Sequence, residues 1–549
     1  MDEEEKSLFH NRIFQISVIV FCILVLIGLI GTVYLLVSKN SKNVQTKKVE
    51  KEIDNLKVGL SDDYTAEDIG PTKNYDQNSY IFRNVYDSLV SYSEDGKLMP
   101  DLATSWTNPD DTTWRFVLRK DVKFSDGKDF TADDVRYTFD AIKADKESQL
   151  NDYFSEITEV NAVSSDEVEI RTASPAPYLI SKLSYLLIVP NGSKNITLAN
   201  TPGTGPFTYN NQETVSKKQL VLSRNKSYWG DKPKVGKVTI SIYPEDEDEK
   251  QKIEDFKQGK TQIIDTRLKE SVEAMSGAAN VKNLFVNENA VYYLILNNNE
   301  KAQEYVSVSP NPLKDKRVRL AMWEALDTDG LIKETMNGIA VPADQVVTKQ
   351  TFGFNPGIKR PEYNLDDAKK IMEESGNEKG FKLKLLIGGS RKDVGEYIQK
   401  SWKNIGIDVE LEIQPESDYL DKFMAHDFGV GFISWSEDSM DGQNTLLTLF
   451  GDNDQNMGSF KDQPLAKIMT DLSGETNQRN RQKLIQEGLK IIRDEAPVIP
   501  LYSKKINWFT AEGVDWQPPE TMDVYFRNAK EVTEVKVKPS SFFSKLKFW

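Results

Sequence analysis

The chemically distinctive residues of this sequence lie in one short acidic stretch, 435–441, which reads WSEDSMD. Trp435 offers a ring on which an apolar group could pack, and Asp438 and Asp441 offer carboxylates for a cation such as an ammonium group. The same residue types are equally typical of an ordinary acidic surface loop. The pattern therefore marks a candidate ligand site without establishing one.

Catalytic residue types are scarce. The two histidines, His10 and His426, are far apart in the chain, and no G-x-S-x-G, H-E-x-x-H or paired-cysteine motif occurs. With so few imidazole and thiolate groups, we expect no metal site and no cofactor. The acidic run 244–249 lacks the spacing of a calcium loop and predicts the start of a solvated helix. A hydrolase that uses only carboxylates stays open as an alternative.

The 549-residue chain is too long for a single hydrophobic core, and its 38% hydrophobic and 28% charged residues are typical of a soluble globular body. The net charge is −15, with +1 in residues 1–52 and −16 in residues 53–549. An acidic body argues against nucleic acid as a partner, because phosphates need a basic face. The single cysteine, Cys22, allows no intramolecular disulfide.

The N-terminal segment predicts a membrane anchor. Residues 13–37 contain no charge, and as a helix they would extend about 37 Å, enough to cross a hydrocarbon core of about 30 Å. Because no clear cleavage site follows, we expect an uncleaved span, with 1–12 as a cytoplasmic tail and 38–52 as a lysine-rich tether. More lysines and arginines follow the span than precede it, so the positive-inside rule would place the body in the cytoplasm.

The order of secondary-structure signals predicts an α/β protein. Every second residue of 114–118 is large and apolar, which predicts a strand, and the turn residues SDGK follow at 125–128. Thr131 is then placed to cap a helix whose apolar residues recur at 135, 139 and 142. Further on, strand patterns at 383–387 and 407–413 enclose a helical pattern at 394–405.

A series of motifs accompanies these elements in a fixed order. They are PGTGPF at 202–207, LSRNKSYWG at 222–230, VRLAMWEALD at 318–327, NGIAVPA at 337–343, YNLDDAKKIMEESG at 363–376 and EAPVIPLY at 495–502. Together with the region 85–142, this series resembles the family 5 extracellular solute-binding proteins, the oligopeptide and dipeptide receptors of ABC importers. The resemblance covers roughly residues 53–530.

The resemblance implies a two-lobed, periplasmic-binding-protein-like α/β fold with an extra subdomain, preceded by one transmembrane helix. The implied parts are lobe I from 53–85, 196–290 and 496–535, the extra subdomain 86–195, lobe II 291–495 and a C-terminal tail 536–549. Segments that cross between the lobes would act as a hinge around the ligand. The aromatic and basic tail falls outside the resemblance; it could touch a membrane surface or a partner, or be a disordered terminus.

The resemblance also implies roles for particular residues. Receptors of the family pair an aspartate of a W-x-x-D loop with the ligand's α-amino group, which carries to Asp438, with Asp441 as the runner-up and Trp435 beside them. Arg391 lies in the loop where dipeptide receptors place an arginine for the ligand carboxylate, and a solvent-exposed arginine is the alternative. Gly442 stands where the family often has proline, which leaves the ligand class open.

From these features we expect a monomeric, non-enzymatic receptor that captures peptides or another small solute and delivers them to the permease and ATPase of an ABC importer. Long domains translocate largely regardless of flanking charge, so the family's extracellular location is expected for the body. A membrane-anchored peptide sensor without a transporter fits the same sequence. The family also includes receptors for nickel, haem, glutathione and sugars, of which nickel is disfavoured because imidazole and soft ligands are nearly absent.

Overall fold

The computed structural model of the chain describes residues 45–61, 70–73, 79–93, 97–244, 248–275, 277–519 and 524–537. The chain divides into a large compact unit, 52–530, and a smaller one formed by its two ends. The predicted cytoplasmic tail and the predicted anchor at 13–37 lie outside the described residues. Among the helices that are described, none has both the length and the apolar character needed to span a bilayer.

The secondary structure is mixed. The strands are β1 Gln45–Lys51, β2 Leu56–Leu60, β3 Val90–Tyr92, β4 Leu98–Pro100, β5 Ala103–Asp110, β6 Thr113–Leu118, β7 Ile157–Ser164, β8 Glu167–Thr172, β9 Phe207–Tyr209, β10 Gln219–Arg224, β11 Lys237–Ile242, β12 Ile263–Thr266, β13 Val281–Asn287, β14 Ala290–Leu296, β15 Ala340–Pro342, β16 Phe381–Gly388, β17 Ile407–Gln414, β18 Val430–Ser436, β19 Val498–Ala511, β20 Val514–Asp515 and β21 Lys530–Val537. The α-helices are α1 Ser79–Phe82, α2 Ala132–Ala144, α3 Gln149–Tyr153, α4 Leu179–Lys182, α5 Glu249–Lys257, α6 Lys269–Met275, α7 Lys316–Glu324, α8 Thr328–Met336, α9 Leu365–Glu374, α10 Lys392–Lys403, α11 Glu416–Met424, α12 Gly442–Phe450, α13 Gln463–Gly474 and α14 Gln478–Glu495.

The smaller unit pairs the two ends of the described chain. Strand β1 runs antiparallel to β21, with Gln45 opposite Val537 and Lys51 opposite Glu531. Residues 45–51 are therefore a strand where the sequence predicts part of the tether 38–52, and 536–537 belong to β21 rather than to the predicted tail. The lysine-rich composition indicated a solvated linker because a strand's partner at the other end of the chain leaves no local signal.

In the large unit, one long strand joins the two halves of the main sheet, whose central order is β17-β16-β18-β14-β19-β12-β2-β11-β10-β9. The first part of β19 pairs with β14 and β15, and its last part pairs with β12 and β13. Because backbone hydrogen bonds hold β19 on both sides, any motion of one half against the other must bend this strand and its neighbours.

Strand β14 shows how the cores are arranged around this sheet. Its sequence AVYYLIL is almost continuously apolar, which is typical of a strand covered on both faces. Its side chains alternate between two cores, with Val291, Tyr293 and Ile295 in one and Tyr292, Leu294 and Leu296 in the other. Helices α12 and α14 contribute to the first core, and α7 and α10 to the second. This helix-on-both-faces arrangement is the expected α/β architecture.

A separate four-stranded sheet, β5-β6-β8-β7, has its own core. Helix α2 packs on it through Val135, Phe139 and Ile142, the residues whose spacing predicted a helix. The helix begins directly after Thr131, whose N–H donates to the Asp134 carboxylate at 2.7 Å. The local signals of this region were strong, since the turn, the cap and the apolar period all agree.

The 202–207 loop is shaped by its close approach to the backbone of Val85. Gly205 N–H donates to the Val85 carbonyl at 2.9 Å, and a Cβ built on Gly203 would lie 1.9 Å from the same oxygen, so only glycine fits there. Thr204 then donates to the buried Asp87 carboxylate at 2.9 Å, which also accepts the Trp229 indole N–H at 2.8 Å. The motifs at 202–207 and 222–230 therefore meet at one acid.

Asp87 and Asp101 form an acid pair that couples folding to pH. Burial, followed by the nearby charge of Asp87, raises the pKa of Asp101 to about 8. Between about pH 4 and pH 8 the folded protein keeps a proton that the unfolded chain has lost, so the stability contributed here falls as the pH rises through that window.

We expect Asp101→Asn to remove much of this pH dependence, because the amide still offers an oxygen to the Ser88 N–H (3.4 Å in the wild type) but does not titrate. Scanning calorimetry at several pH values should show the Tm of the wild type falling towards pH 8 by a few degrees more than that of the variant. Asp111→Asn, in an exposed turn, is the control. Parallel curves for wild type and Asp101→Asn would contradict the acid-pair assignment.

Candidate functional site

The parallel strands β16 and β18 separate at their carboxyl ends. They pair only as far as Gly431 of β18, whereas β14 follows the opposite side of β18 to Ser436. In the part of the chain that the structure describes, no strand covers the β16-facing edge of β18 beyond Gly431, and Ser434 and Ser436 are exposed. Ligands in α/β proteins bind in crevices of this kind, outside the carboxyl ends of parallel strands.

Glu437, the first residue after β18, is buried and fixes the 437–441 loop. Its carboxylate accepts hydrogen bonds from the Ser439 N–H (3.1 Å), Thr445 Oγ1 (2.5 Å) and Asn444 Nδ2 (3.1 Å). Asn289 also holds the backbone of this loop: its Nδ2 donates a hydrogen bond to the Glu437 carbonyl at 2.6 Å. Burial raises the pKa of Glu437 to about 7, although these hydrogen bonds lower it. The loop is therefore shaped before any ligand arrives.

Asp441 closes the same loop through a buried ion pair. Its Oδ2 accepts Arg481 Nη2 at 2.7 Å, both side chains are 1% exposed, and its Oδ1 accepts the Gln443 N–H at the start of α12. The sequence predicts Asp441 as the runner-up ligand residue; the structure instead uses both of its oxygens inside the protein. The sequence could not show this because Arg481 comes from a distant helix, α14.

Asp438 and Trp435, the other predicted contacts in this stretch, lie at its accessible side. Asp438 is half-buried between the buried Glu437 and Ser439. Trp435 is also half-buried; its Nε1 donates to Thr445 Oγ1 at 3.1 Å and its ring packs against the core that includes α12 and α14. The structure therefore brings both residues to the open end of β18.

Tyrosines from residues 92–178 lie against this loop. Tyr92 Oη donates to the Ser439 carbonyl at 3.4 Å. Burial raises the pKa of Tyr153, and the nearby charge of Asp438 raises it further. Burial, then nearby carboxylates that include Asp441, raises the pKa of Tyr178 to about 12. This aromatic wall lowers the local polarity, which strengthens any ion pair made by Asp438.

A pair of cations meets at Tyr292, the residue of β14 that pairs with Ser434 of β18. The Arg391 guanidinium carbon is 5.2 Å and the Lys504 ammonium 4.9 Å from the centre of the Tyr292 ring, which itself stacks on Tyr502 at 5.0 Å. In the described part of the chain neither cation has a carboxylate at ion-pair distance. Burial lowers the pKa of Lys504 and the charge of Arg391 lowers it further, whereas the more distant carboxylate of Glu288 raises it. An anion placed here would relieve that repulsion.

Two of these groups, Lys504 and Glu437, were not predicted from the sequence as residues of the site. Lys504 follows closely on the 495–502 motif, in a strand that pairs with β14 and β15, so the register of β19 brings it to Arg391. Glu437 belongs to the WSEDSMD stretch, but the sequence does not distinguish it from the neighbouring aspartates, because all three are acidic and none carries a local signal of burial. Only burial separates the structural acid from the accessible one.

Comparison with known proteins now identifies the family. A family model described as "Bacterial extracellular solute-binding proteins, family 5 Middle" matches residues 97–457. The chain belongs to this family. It is 27% identical over 447 residues to the nickel-binding periplasmic protein of Escherichia coli, covering 76% of this chain and 83% of that one. It is 25% identical over 493 residues to the oligopeptide-binding protein OppA of Bacillus subtilis, covering 82% and 88%.

A solved structure confirms the fold. The periplasmic murein tripeptide-binding protein MppA, in its unliganded open form, matches with a TM-score of 0.77 at 22% identity, over 88% of this chain and 99% of that one. The predicted family and the predicted two-lobed α/β fold of the family 5 solute-binding proteins are therefore confirmed. Among the described residues no three histidine, cysteine or carboxylate side chains come together as a metal site.

Breaking the buried Asp441–Arg481 pair of this family 5 protein should cost more stability than breaking an exposed pair. Asp441→Asn leaves the Arg481 charge buried, and we expect a loss of about 3–5 kcal/mol in the free energy of unfolding, without ligand. Asp471→Asn removes an exposed pair with Lys467 and should lose at most about 1 kcal/mol.

Chemical denaturation of the two single variants, and of Asp441→Asn combined with Arg481→Met, measures these values. The double variant should lose less than Asp441→Asn alone, because no unpaired charge stays buried. Equal, small losses for Asp441→Asn and Asp471→Asn would show that the pair does not hold the loop.

Proposed function

We propose that this chain is the receptor of an ABC importer and that its ligand is a short peptide held in extended conformation beside β18. The observation that carries the proposal is the edge of β18 that no described strand covers beyond Gly431, which leads into the acidic 437–441 loop and whose other neighbour, β14, carries the Tyr292 ring beneath two cations. An extended peptide adds a strand to such an edge through main-chain hydrogen bonds, which are independent of its side chains.

The charged groups around the edge complement the two ends of a free peptide. Asp438 is the proposed partner of the terminal ammonium, with the Trp435 ring beside it. Arg391 and Lys504 are the proposed partners of the terminal carboxylate, because the guanidinium fork binds two carboxylate oxygens and the ammonium adds a second charge. Asp441 acts indirectly, as a positioning residue that holds the loop through Arg481.

Those relatives that are named for binding peptides support a peptide as the ligand class: the oligopeptide-binding protein OppA of Bacillus subtilis and the dipeptide-binding protein of Escherichia coli, to which the chain is 24% identical over 457 residues. Binding would close the lobes by bending the segments around β19, and the closed receptor, acting as a monomer, would present the peptide to the permease while the ATPase drives transport. No bond of the ligand is made or broken, so the proposed activity is binding and not catalysis.

We also propose that residues 13–37 anchor the receptor as one uncleaved span, with 1–12 in the cytoplasm and the body outside. The absence of charge over this stretch and its length support the proposal. The extracellular description of the family supports the orientation.

Asp438→Asn should weaken the binding of trialanine several hundred-fold, because breaking a buried charge pair costs about 3–5 kcal/mol. Isothermal titration at two salt concentrations measures this. A loss of only about 1 kcal/mol that salt erases would identify an exposed pair instead.

Two controls sharpen this test. Asp452→Asn, at an exposed carboxylate of the same region, should bind like wild type. N-acetyl-trialanine should bind wild type weakly and lose little further affinity in Asp438→Asn, since it has no ammonium to pair. Should Asp438→Asn bind both peptides as wild type does, the ligand's amino terminus is not held there.

The cation pair makes the complementary prediction. Arg391→Gln and Lys504→Gln should each weaken trialanine by about ten-fold or more, and the two changes should not add, because both groups contact one carboxylate. Trialanine amide should be insensitive to either change. Equal losses for the acid and the amide would mean that these cations hold something other than the terminal carboxylate.

A further inference from the structure

A cavity of about 540 Å³ is lined by residues that take no part in the candidate peptide site. Its walls come from the end of α7, the first turn of α8, the end of β15 and the segment 359–363. None of the lining residues belongs to β18, to the 437–441 loop or to the cation pair at Tyr292. Cavities of this volume are typical of small-molecule sites.

The segment 359–363, which forms one wall of the cavity, is held in place by hydrogen bonds at both ends. The backbone N–H of Arg360 donates to the Asp344 carboxylate at 3.2 Å, and its Nη2 donates to the Asp329 carboxylate at 2.6 Å. Directly after the segment, the Asn364 N–H donates to the carbonyl of the last residue of α7 at 2.9 Å. The wall is therefore positioned before any ligand binds.

The charged side chains that line the cavity do not balance. Its two cations already have carboxylate partners, at 2.6 and 3.1 Å. Its two other acids, Asp327 and Glu362, have no cation at ion-pair distance among the residues that the structure describes. Asp327 Oδ1 accepts the Gly330 N–H at 3.0 Å, whereas no group in the described ranges donates to Oδ2. The cavity therefore favours a cation over an anion.

A buried indole marks this cavity more specifically than its acids do, because an aspartate at a helix N-cap is common. Trp323, the penultimate residue of α7, lines the cavity and is only 2% exposed. Its indole N–H has no hydrogen-bond acceptor in the described part of the chain. A buried indole N–H ordinarily finds a partner, so a ligand that offers an acceptor atom would satisfy this donor.

The remaining lining is suited to an organic ligand. Tyr363, which is 52% exposed, contributes an aromatic side chain, and Leu326, Pro342 and Pro361 contribute apolar surface. Such side chains pack against hydrocarbon, and an aromatic face also attracts an ammonium group. No three carboxylate, histidine or cysteine side chains of the described residues come together to hold a metal ion, which favours an organic cation over an inorganic one.

We propose that this cavity binds a small primary amine that also carries a hydrogen-bond acceptor, such as an amino alcohol. The ammonium group pairs with Asp327, whose Oδ2 the helix cap leaves without a donor, and with Glu362. The acceptor atom takes the Trp323 indole N–H, and the hydrocarbon between the two groups packs on the apolar lining. The site is independent of the peptide proposed for the crevice beside β18.

Fluorine NMR of the full chain tests this proposal with aminopentanol as the probe. Fluorotryptophan replaces the nine tryptophans, and the signal that is lost in Trp323→Phe identifies the resonance of that residue. We expect aminopentanol to shift this resonance saturably and to leave the Trp435 resonance unmoved. Pentylamine, which lacks the acceptor, and pentanol, which lacks the ammonium, should each bind several-fold more weakly. Equal affinities for pentanol and aminopentanol would overturn the proposal.

Asp327→Asn removes the charge and keeps the helix cap, because asparagine caps helices as well as aspartate does. It should weaken aminopentanol by about ten-fold or more, while the Tm without ligand stays close to that of wild type. Asp366→Asn, at an exposed carboxylate of α9, is the matched control and should bind like wild type. Wild-type affinity in Asp327→Asn would show that this acid does not hold the amine.

A titration with trialanine separates this site from the crevice. Asp327→Asn should bind trialanine as wild type does, and saturating trialanine should leave the affinity for aminopentanol unchanged. An aminopentanol that competes with trialanine, or that shifts the Trp435 resonance and not that of Trp323, occupies the crevice instead. Either result would overturn the second site without bearing on the peptide proposal.

Discussion

Strand β19 forms backbone hydrogen bonds with strands of both halves of the main sheet. Its first residues pair with β14 and β15 and its last with β12 and β13, and most of its side chains are buried. A buried strand cannot leave its backbone groups unpaired without a large desolvation penalty, so β19 fixes where the two halves meet. Lys504 lies near the middle of this strand, which is why a cation from a structural strand reaches the candidate site.

The candidate site depends on a second constraint, the buried polar network behind the 437–441 loop. Glu437 and Asp441 are both buried and both fully used, the first by Thr445, Asn444 and the loop itself, the second by Arg481. Such networks specify one loop shape, because any other arrangement leaves a buried charge or hydrogen-bonding group unpaired. The half-buried Asp438 thus lies between two buried acids whose carboxylates are bound inside the protein.

Charge is distributed differently in the site and in the whole molecule. The chain is strongly acidic, yet Arg391 and Lys504 converge on the Tyr292 ring, where burial and then the charge of Arg391 lower the pKa of Lys504. Like charges held together in a protein mark a place where an opposite charge has been accommodated. The zwitterionic peptide proposed above as the ligand would complement the charges of Asp438 and of these two cations.

The amino-acid sequence by itself determined the elements whose signals are local: the strand at Thr113–Leu118, the helix capped at Thr131, and the glycines of the 202–207 loop. The order of its motifs was sufficient to predict the family and the two-lobed fold. Asp438, Trp435 and Arg391 could be named from the resemblance as candidates for the site. Tertiary structure alone decided the rest. It buried Glu437 and paired Asp441 with Arg481, it brought Lys504 to Arg391 through the register of β19, and it joined residues 45–51 to β21 at the far end of the chain. Each of these depends on a partner distant in sequence, and burial and ion pairing are properties of neighbours in space that no local pattern of residues encodes.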